Sequence, residues 1–395
     1  MSDGMRLVIF ALGLSEPGTM GGNSKIALEA ARCLSSRMEV HFVLPRHKRA
    51  TLVDALGDTT HGLKVHDLED YPQCDKFHPF ASVRHYVPLV RSLFHSLEIG
   101  PRDIVFGISD FHVDVLPLYE LQSVFKFRWL PSVFLFVPSP WENMRQGYGF
   151  PCFKYFIYWL YQGWLFRKMK RRAAGFVVTN DVDKVRFPSR FKNLLFAYYG
   201  GVNVEQIPTA IAAKTRDVVF CSRLHPQKGI DGFLDVWRIV HTACPAARLT
   251  VIGNGEPAYE VYLKKKALRL GVADSIDWLG YVNNEAKYEI YASARVFVHP
   301  TVFDNNGMVA AEALCSGLPV VMFDLPPLRD VYTTGCVKVS PGEKSAFAKE
   351  VIRLLSEPSC YAAVAPTAGQ IEELRARWNW PHRAERFLGF LESLP

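Results

Sequence analysis

The sequence predicts an α/β protein with two doubly wound parallel sheets. Short apolar runs, rich in β-branched and aromatic residues, alternate with helical patterns along the chain, which is typical of βαβ units. A second series of such runs starts afresh at Asp217, and the 395 residues suffice for two domains with a core each. Hydrophobic residues make up 49% of the chain and charged residues 22%, which argues against disorder and fibrous repeats.

The apolar runs locate the strands of the two series. In the first series we predict strands at Arg6–Ala11, Glu39–Leu44, Asp103–Ile108, Val133–Val137, Phe176–Thr179 and Leu195–Tyr198. In the second series we predict them at Asp217–Cys221, Arg248–Ile252, Ser275–Leu279, Arg295–His299, Pro319–Phe323 and Cys336–Val339. A proline and small residues in Gln206–Thr215 interrupt both patterns and indicate a linker. The predicted domains are residues 1–207 and 208–379, and we expect a C-terminal helix at about 380–395 to pack back on the first domain.

Three further patterns restrict where the protein acts. The densest apolar run, Phe153–Phe166, is too short for the roughly 20 residues of a membrane-spanning helix. Leu7–Leu14 has one upstream arginine and no small-residue cleavage site, so we interpret it as a core strand rather than a signal peptide. The eight cysteines show no CxxC pair or framework spacing, which indicates free thiols and no zinc site. We therefore expect a cytoplasmic protein.

The first candidate binding loop follows the first strand, because ligands of doubly wound sheets bind beyond the carboxyl ends of the strands. Gly21 and Gly22 precede a helix there, and their amides can approach a phosphate at the helix N-terminus. A tight turn without a ligand explains the same glycines. The spacing differs from GxGxxG, which argues against a nicotinamide dehydrogenase.

Two cations follow the first strand of the second series. Arg223 and Lys228 precede a helix that starts at Ile230. They suit a diphosphate, because arginine can bind two oxygens at once and lysine adds a compact charge. Solvated surface cations are the alternative. After the next strand, the run Gly253-Asn254-Gly255 leaves the backbone bare for a ligand or for a tight turn.

The most informative stretch is Pro300–Pro319. A loop with Asp304, two asparagines and a glycine leads into a helix that begins near Met308 and carries Glu312 in its early turns. One carboxylate in the loop and one in the helix can bind hydroxyls of two parts of the same ligand, while the helix N-terminus takes a phosphate between them. An ordinary surface position is the simpler alternative for Glu312.

As an ordered set, these segments resemble the retaining glycosyltransferases of family 4. The resemblance covers nearly the whole chain and is carried by Gly21-Gly22, Ser222–Gly229, Val251–Gly255 and Asp304–Val321, with weaker matches at Gly201–Asn203 and Trp380. It implies the GT-B fold, in which two Rossmann-like doubly wound parallel-sheet domains face each other across a cleft. It also implies the transfer of a hexose from a nucleotide-diphosphate sugar with retention of configuration.

The resemblance implies a role for each matching position. Arg223 and Lys228 would hold the donor diphosphate, Glu312 would bind the ribose hydroxyls, and Asp304 would lie near the transferred sugar. The amides of Gly21 or Gly22 would approach the diphosphate across the cleft. The other donor-binding residues that the resemblance implies are Gly253, Asn254, Gly280, Tyr281, Val282, Asn305, Asn306, Gly307, Met308 and Val309.

Two positions depart from the family's pattern. Asp304 stands where the family usually has glutamate, so its carboxylate is one methylene shorter. The family commonly has a histidine after the strand that we place at Val133–Val137, but the chain has Ser139 between two prolines there. Ser139 and His112, which follows an earlier strand, are our acceptor-side candidates. A structural role is the alternative for His112.

We expect no metal and no other cofactor. Asp181-Val182-Asp183 spells the DxD of metal-dependent glycosyltransferases, but it follows the predicted strand that ends at Thr179, so we interpret it as a helix cap. Arg223, Lys228 and a helix dipole can stabilise the departing diphosphate instead. The resemblance further implies that the donor phosphate takes the acceptor proton, without a protein nucleophile.

The segment Phe153–Arg172 bears on the acceptor. It holds eight aromatic residues up to Phe166, and basic residues follow at once. Aromatic and basic residues at a helix end suit an anionic lipid surface, as does the net charge of +7. A long inter-strand helix, buried on one side, explains the same residues. We hypothesise a glycan or lipid-linked acceptor and peripheral docking on the inner face of the membrane.

Two other functions stay open on the sequence alone. A nucleotide-sugar epimerase of the GT-B fold would use the same donor residues without an acceptor. A non-enzymatic protein that binds membranes or nucleic acid would use the basic face, but Asp304 and Glu312 have no use in binding a phosphate backbone. We therefore predict a glycosyltransferase that binds a nucleotide sugar and an acceptor, and no nucleic acid.

Overall fold

The structure is a computed structural model that describes residues 5–16, 20–57, 62–71, 79–146, 152–208 and 213–395. Contacts divide these residues into two compact units. The first unit holds the described residues up to Arg145, those from 152 to 200, and Trp380–Pro395, and the second unit holds Gly201–Asn379. Within the predicted linker, residues 209–212 lie outside the described part of the chain.

The first unit is an α/β layer structure around a parallel sheet. Its strands are β1 (Arg6–Phe10), β2 (Glu39–Pro45), β3 (Leu63–Leu68), β4 (Ile104–Gly107), β5 (Arg128–Val133), β6 (Phe176–Val178) and β7 (Leu195–Ala197). Its helices up to the linker are α1 (Gly22–Leu34), α2 (Arg49–Leu56), α3 (Pro79–Ser96), α4 (His112–Phe125), α5 (Pro140–Gln146) and α6 (Cys152–Arg172). The sheet order is β3-β2-β1-β4-β5-β6-β7.

The strand predicted at Val133–Val137 is wrong, whereas the other strands of the first series are confirmed to within one residue at each end. β5 ends at Val133, and the apolar residues after it form a loop. The loop backbone bonds to side chains instead of a neighbouring strand: the carbonyl of Leu135 accepts from Gln162, and the amide of Val137 donates to Gln162. β3 was not predicted, because its alternation of apolar and polar residues is only four residues long and ends at Asp67.

The second unit repeats the architecture. Its strands are β8 (Arg216–Cys221), β9 (Leu249–Ile252), β10 (Ile276–Gly280), β11 (Ala294–His299), β12 (Val320–Phe323) and β13 (Cys336–Val339). Its helices are α7 (Ile230–Ala243), α8 (Pro257–Arg269), α9 (Asn284–Ala292), α10 (Met308–Cys315), α11 (Pro326–Arg329), α12 (Lys344–Ser356), α13 (Pro358–Val364) and α14 (Ala368–Trp378). The sheet is parallel with the order β10-β9-β8-β11-β12-β13, and all second-series strands are confirmed to within one residue.

The last helix, α15 (Trp380–Ser393), belongs to the first unit and packs against α1. Its Phe387 ring lies 5.4 Å from that of Phe106 in β4, so its apolar face completes the core of the first sheet. Among the described residues, no helix combines the length and the apolar character that a bilayer crossing requires.

In each sheet the strand order brings two loops together at the carboxyl ends of the strands. In the first sheet the order reverses between β1 and β4, and in the second between β8 and β11. Strands diverge to opposite sides at such a point, which leaves a crevice beyond their carboxyl ends. In the second unit the loops at this point are Ser222–Gly229 and Pro300–Gly307, the two segments in which the sequence predicts the diphosphate and sugar ligands.

Candidate functional site

A glycine brings the two loops of the second unit together. Gly229 has φ +74° and ends the 3-10 turn Pro226–Lys228 that follows β8. A Cβ atom on it would lie 1.9 Å from the carbonyl oxygen of Pro300, at the end of β11. Gln227 joins the same loops, since its side chain donates to the carbonyl of Phe303 at 2.8 Å. Only glycine allows this approach of the backbones.

Lys228 and Asp304 form an ion pair between these loops. The Lys228 Nζ atom lies 2.7 Å from Asp304 Oδ2, and both side chains are largely buried. The other carboxylate oxygen, Oδ1, accepts from the amides of the next three residues, 305 to 307, at 2.8 to 3.3 Å. Burial opposes ionisation of Asp304, but Lys228 and His299 hold its pKa well below the ordinary value. Asp304 is therefore a charged residue that orders the loop before α10.

The turn after β8 concentrates positive charge. Arg223 is exposed and forms no ion pair with the described residues. His225 caps the turn, its Nδ1 accepting from the amide of Gln227 at 3.2 Å. Burial lowers the pKa of His225, and the charges of Arg223 and Lys228 lower it further. Among the described residues, Asp304 is the acidic partner of Lys228, and Arg223 has no such partner. The loop therefore keeps a positive charge that can attract an anion.

Glu312 is buried rather than a surface residue. It lies in α10, is 2% exposed, and its Oε2 atom is 2.8 Å from the Nζ atom of Lys287 in α9. Lys287 is itself 8% exposed and also donates to Asn284 Oδ1 at 3.2 Å. Burial disfavours its charge, yet Glu312 raises the pKa of Lys287 above the ordinary value. The surface-residue alternative for Glu312 is therefore wrong.

Backbone contacts hold the glycine-rich strip at the ends of β9 and β10. Gly253 has φ +126°, and a Cβ atom there would lie 1.9 Å from the carbonyl oxygen of Ser222. Its amide donates to the carbonyl of Gly280 at 2.7 Å. Asn254 is exposed, and Tyr281 next to Gly280 is 75% exposed. The strip thus presents an exposed aromatic ring beside bare backbone, which suits a planar base.

The N-terminus of α10 is fixed from behind by an aromatic residue that sequence analysis missed. The Tyr332 hydroxyl donates to the carbonyls of Asn306 and Gly307, at 2.7 and 2.9 Å, and its ring stacks on Trp378. Met308 and Val309 form the first turn of α10, where amides have no partner within the helix. These amides are the donors that the sequence assigns to a phosphate or sugar.

The glycines after β1 lie in a loop held by buried polar groups. The amide of Gly21 donates to Ser15 Oγ at 2.9 Å, and Gly22 is the first residue of α1. Asp114 at the start of α4 accepts from the amide of Gly13 at 3.0 Å and from the Ser109 hydroxyl. Burial raises the pKa of Asp114 to about 7. Residues 17–19 of this loop lie outside the described part of the chain.

The two acceptor-side candidates have different surroundings. Ser139 and Glu142 cap α5 reciprocally: the amide of Ser139 donates to Glu142 Oε2 at 2.8 Å, and Ser139 Oγ accepts from the amide of Glu142. His112 is half-buried at the start of α4, and burial lowers its pKa to about 4, so it is neutral at pH 7. Nearby, Gln162 donates to Asp110, whose pKa burial raises to about 6.

Asp181 of the DxD segment lies at the N-cap position of the 3-10 turn Val182–Arg186, but its side chain makes no capping hydrogen bond. Asn180 Oδ1 accepts from the amide of Asp183 at 2.9 Å, whereas Asp181 binds Lys184 and the Tyr199 hydroxyl. The prediction of a cap in this segment is confirmed for the position of Asp181 but not for its side chain, because the side-chain bond comes from Asn180, two residues before the turn. Within the described ranges, no cluster of three or more His, Cys, Asp or Glu side chains is arranged to hold a metal ion.

The helix α6 has one buried and one exposed face. Gln162, Leu165 and Met169 pack inward. The opposite face exposes Phe153, Phe156, Ile157 and Leu160, which are spaced by three and four residues. The same spacing continues through the exposed Arg167 and Arg171. α5 adds the exposed Trp141, so the first unit carries an apolar surface that ends in basic residues.

Two parallel sheets of this order define a GT-B fold. Sucrose-phosphate synthase from Thermosynechococcus elongatus aligns with 99% of this chain and 99% of its own, with a TM-score of 0.77 at 14% identity. The Anabaena protein HepE in complex with UDP-glucose aligns with 98% of this chain and 100% of its own, with a TM-score of 0.74 at 15% identity. At such identities the likeness shows the fold alone.

The family match lies within the second unit. Residues 215–357 match the family model Glycosyl transferases group 1. A phosphatidyl-myo-inositol mannosyltransferase from Mycobacterium leprae is 32% identical over 164 residues, which are 39% of this chain and 42% of that protein. The chain therefore has the GT-B fold, and residues 215–357 are similar to group 1 glycosyltransferases. The alignments span 36% to 42% of the lengths of the first relatives, less than half of each.

Proposed function

We propose that this chain transfers a hexose from a nucleoside-diphosphate sugar to a glycan or lipid-linked acceptor, with retention of configuration and without a metal ion. The observation that carries the proposal is that the loop of Arg223 and Lys228 and the loop before α10 meet at the switch point of the second sheet, joined by the Lys228–Asp304 pair. Cations and helix amides at this position suit a diphosphate. The region that is similar to group 1 glycosyltransferases covers the same segments.

The donor would be held in parts by separate groups of the second unit. Arg223, Lys228 and the first amides of α10 would bind the diphosphate, Glu312 the ribose, and Gly280, Tyr281 and Val282 the base. Asp304 would bind the transferred sugar when Lys228 turns from it to the diphosphate. The HepE structure contains UDP-glucose, which is consistent with a nucleotide sugar as donor for this fold.

The chemistry requires stabilisation of the leaving diphosphate. As the glycosidic bond breaks, negative charge grows on the phosphate oxygens, and Arg223 and Lys228 lie in the loop that would meet it. The donor phosphate oxygen would then accept the proton of the attacking hydroxyl on the same face of the sugar. No protein nucleophile is needed for that step.

The acceptor side of the proposal rests on the first unit. His112 is neutral at pH 7 and can accept or donate a hydrogen bond to a hydroxyl. The exposed apolar face of α6, with Arg167 and Arg171 on the same side, suits the surface of an anionic membrane. The relative from Mycobacterium leprae is named for a phosphatidyl-myo-inositol, which supports a lipid acceptor.

Activity with defined donors tests the proposal. Thermal shift with UDP, GDP and ADP sugars selects the donor, since a ligand bound only by the folded state raises the Tm. Release of nucleoside diphosphate is then measured with membrane lipid extract as acceptor, with and without excess EDTA. We expect turnover in both, no conversion of donor alone, and an α product from an α donor. Conversion of donor alone would indicate an epimerase.

Variants of the two cations connect the activity to the site. Arg223→Ala and Lys228→Ala should each lower kcat on the order of 100-fold, as for loss of one donor to a developing oxyanion. Lys265→Ala, at an exposed position of α8, is the matched control. Wild-type kcat and KM in both cation variants would contradict the phosphate assignment.

A further inference from the structure

We propose that Lys287 is a positioning residue for the ribose of the donor, acting through Glu312. The inference rests on the proposed function, because it gives a structural reason why Glu312 can serve as the ribose ligand. Nothing in the sequence patterns singled out Lys287. It lies on α9, one helix away from the acidic segment, and 25 positions before Glu312.

The contact is short and nearly shielded from water. The Lys287 ammonium lies 2.8 Å from the Glu312 carboxylate, and the two side chains are 10% and 3% exposed. A buried carboxylate without a cation favours its protonated form, which offers fewer acceptor sites to a diol. Lys287 therefore keeps Glu312 charged and in one orientation.

Lys287 is itself held in place on two sides. Asn284, one turn earlier in α9, accepts from its Nζ atom at 3.2 Å. The ammonium also lies 5.0 Å from the centre of the Tyr288 ring, a cation–π distance. A cation fixed in this way leaves its partner carboxylate few alternative positions, which is what recognition of two adjacent hydroxyls requires.

Binding of ribose and deoxyribose nucleotides is the decisive measurement. UDP, GDP and ADP are titrated calorimetrically into the wild-type protein, each beside its 2′-deoxy counterpart. For the nucleotide that binds, we expect the wild type to prefer the ribose form. In Lys287→Met, affinity for the ribose form should fall by about 10- to 100-fold, the range for a hydrogen bond to a charged group. The ratio of the affinities for the ribose and 2′-deoxy forms should then approach one. Lys287→Arg should retain most of the preference.

A double variant separates positioning from direct contact and from misfolding. The combined Lys287→Met/Glu312→Gln leaves no buried charge, so it should fold even if Lys287→Met does not. Glu312→Gln leaves the Lys287 ammonium buried without its partner, so its fold is checked by circular dichroism before the two variants are compared. Equal nucleotide affinities of these two variants support action through Glu312, whereas a further tenfold loss in the combined variant would show that Lys287 touches the nucleotide and would overturn the positioning role. Glu289→Gln, exposed on α9, is the control.

The outcomes for the wild type distinguish this inference from the proposed function. A wild type that prefers ribose, together with an unchanged preference in Lys287→Met, would refute the role of Lys287 and leave the glycosyltransferase proposal standing. A wild type that binds none of the three nucleotides would refute the proposed donor site, and the role of Lys287 with it.

Discussion

The ion pair between Lys228 and Asp304 joins a proposed phosphate ligand to a proposed sugar ligand. Asp304 is the residue that departs from the glutamate of the family pattern, and its shorter side chain reaches Lys228 and three backbone amides of its own loop. A longer side chain would not fit these contacts without moving the loop. The shorter acid is thus suited to the geometry of this loop.

Asp304→Asn tests whether this carboxylate contacts the sugar. Asparagine keeps one oxygen but loses the charge, so we expect kcat to fall by about 10- to 100-fold, the equivalent of a hydrogen bond to a charged group. The Kd of the bare nucleoside diphosphate, which lacks the sugar, should change less. Steady-state kinetics and calorimetry measure the two, with the exposed Asp274→Asn as control. Wild-type kcat in Asp304→Asn would leave Asp304 with a structural role only.

Asp114 gives the first unit a pH-dependent stability. Its pKa of about 7 in the folded chain lies above the ordinary 3.8, so its contribution is fully present below about pH 4 and is lost as the pH rises through 7. Asparagine at this position stays neutral: its Oδ1 can accept from the amide of Gly13, and its Nδ2 can donate to the Ser109 hydroxyl once that hydroxyl rotates. Asp114→Asn should therefore be more stable than the wild type at pH 8, by roughly 4 kcal/mol at most, and about equally stable near pH 4.

Scanning calorimetry at pH 5 and pH 8 checks this expectation. The exposed Asp54→Asn in α2 should show the pH dependence of the wild type. The same change in Tm between the two pH values for wild type and Asp114→Asn would mean that Asp114 is ionised in the folded protein throughout this range.

Among the elements, the loops that follow β8 and β11 can approach each other closely only because residue 229 is glycine. Gly229 and Gly271 have nearly equal φ angles, +74° and +71°, but a Cβ atom clashes with Pro300 only at Gly229. Gly271→Ala should cost about 1 to 2 kcal/mol, the price of a left-handed alanine. Gly229→Ala should cost about 1 to 3 kcal/mol more from overpacking, and should also lower kcat because the Lys228–Asp304 pair moves.

Urea denaturation and kinetics of the two alanine variants make the comparison direct. Both changes add one methyl group at nearly the same φ angle, so the difference between the two losses of stability reports the clash. Equal losses of stability in Gly229→Ala and Gly271→Ala would show that the loops can separate without cost.

For the molecule as a whole, the net charge of +7 and the exposed apolar face of α6 both favour binding to an anionic membrane surface. Phe156→Ser/Leu160→Ser should reduce sedimentation with phosphatidylglycerol vesicles about tenfold or more, because each buried apolar side chain contributes about 1.5 to 3 kcal/mol. Binding should weaken with added NaCl. Val261→Ser/Leu268→Ser, exposed on α8 of the second unit, is the matched control. Equal absence from pellets of anionic and phosphatidylcholine vesicles would contradict membrane docking.

Much of the fold was predictable because its signals are local. Strand positions follow from apolar runs of a few residues, and the restart at Asp217 follows from counting such runs. Val133–Val137 failed for the opposite reason: its apolar residues satisfy the local pattern, but Gln162, on a later helix, binds their backbone. An apolar run alone does not show which groups its amides and carbonyls bind.

The pattern of apolar runs predicted the two-sheet architecture, and the motifs predicted the loops of Arg223, Lys228 and Asp304, the helix of Glu312 and the resemblance to glycosyltransferases. The partners of these side chains are visible only in the folded chain. Lys228 meets Asp304 across 76 residues, and Glu312 meets Lys287 from a different helix. The physical reason is that spacing along the chain reports which face of an element a residue occupies, whereas an ion pair depends on the order of parallel strands and the packing of helices on them.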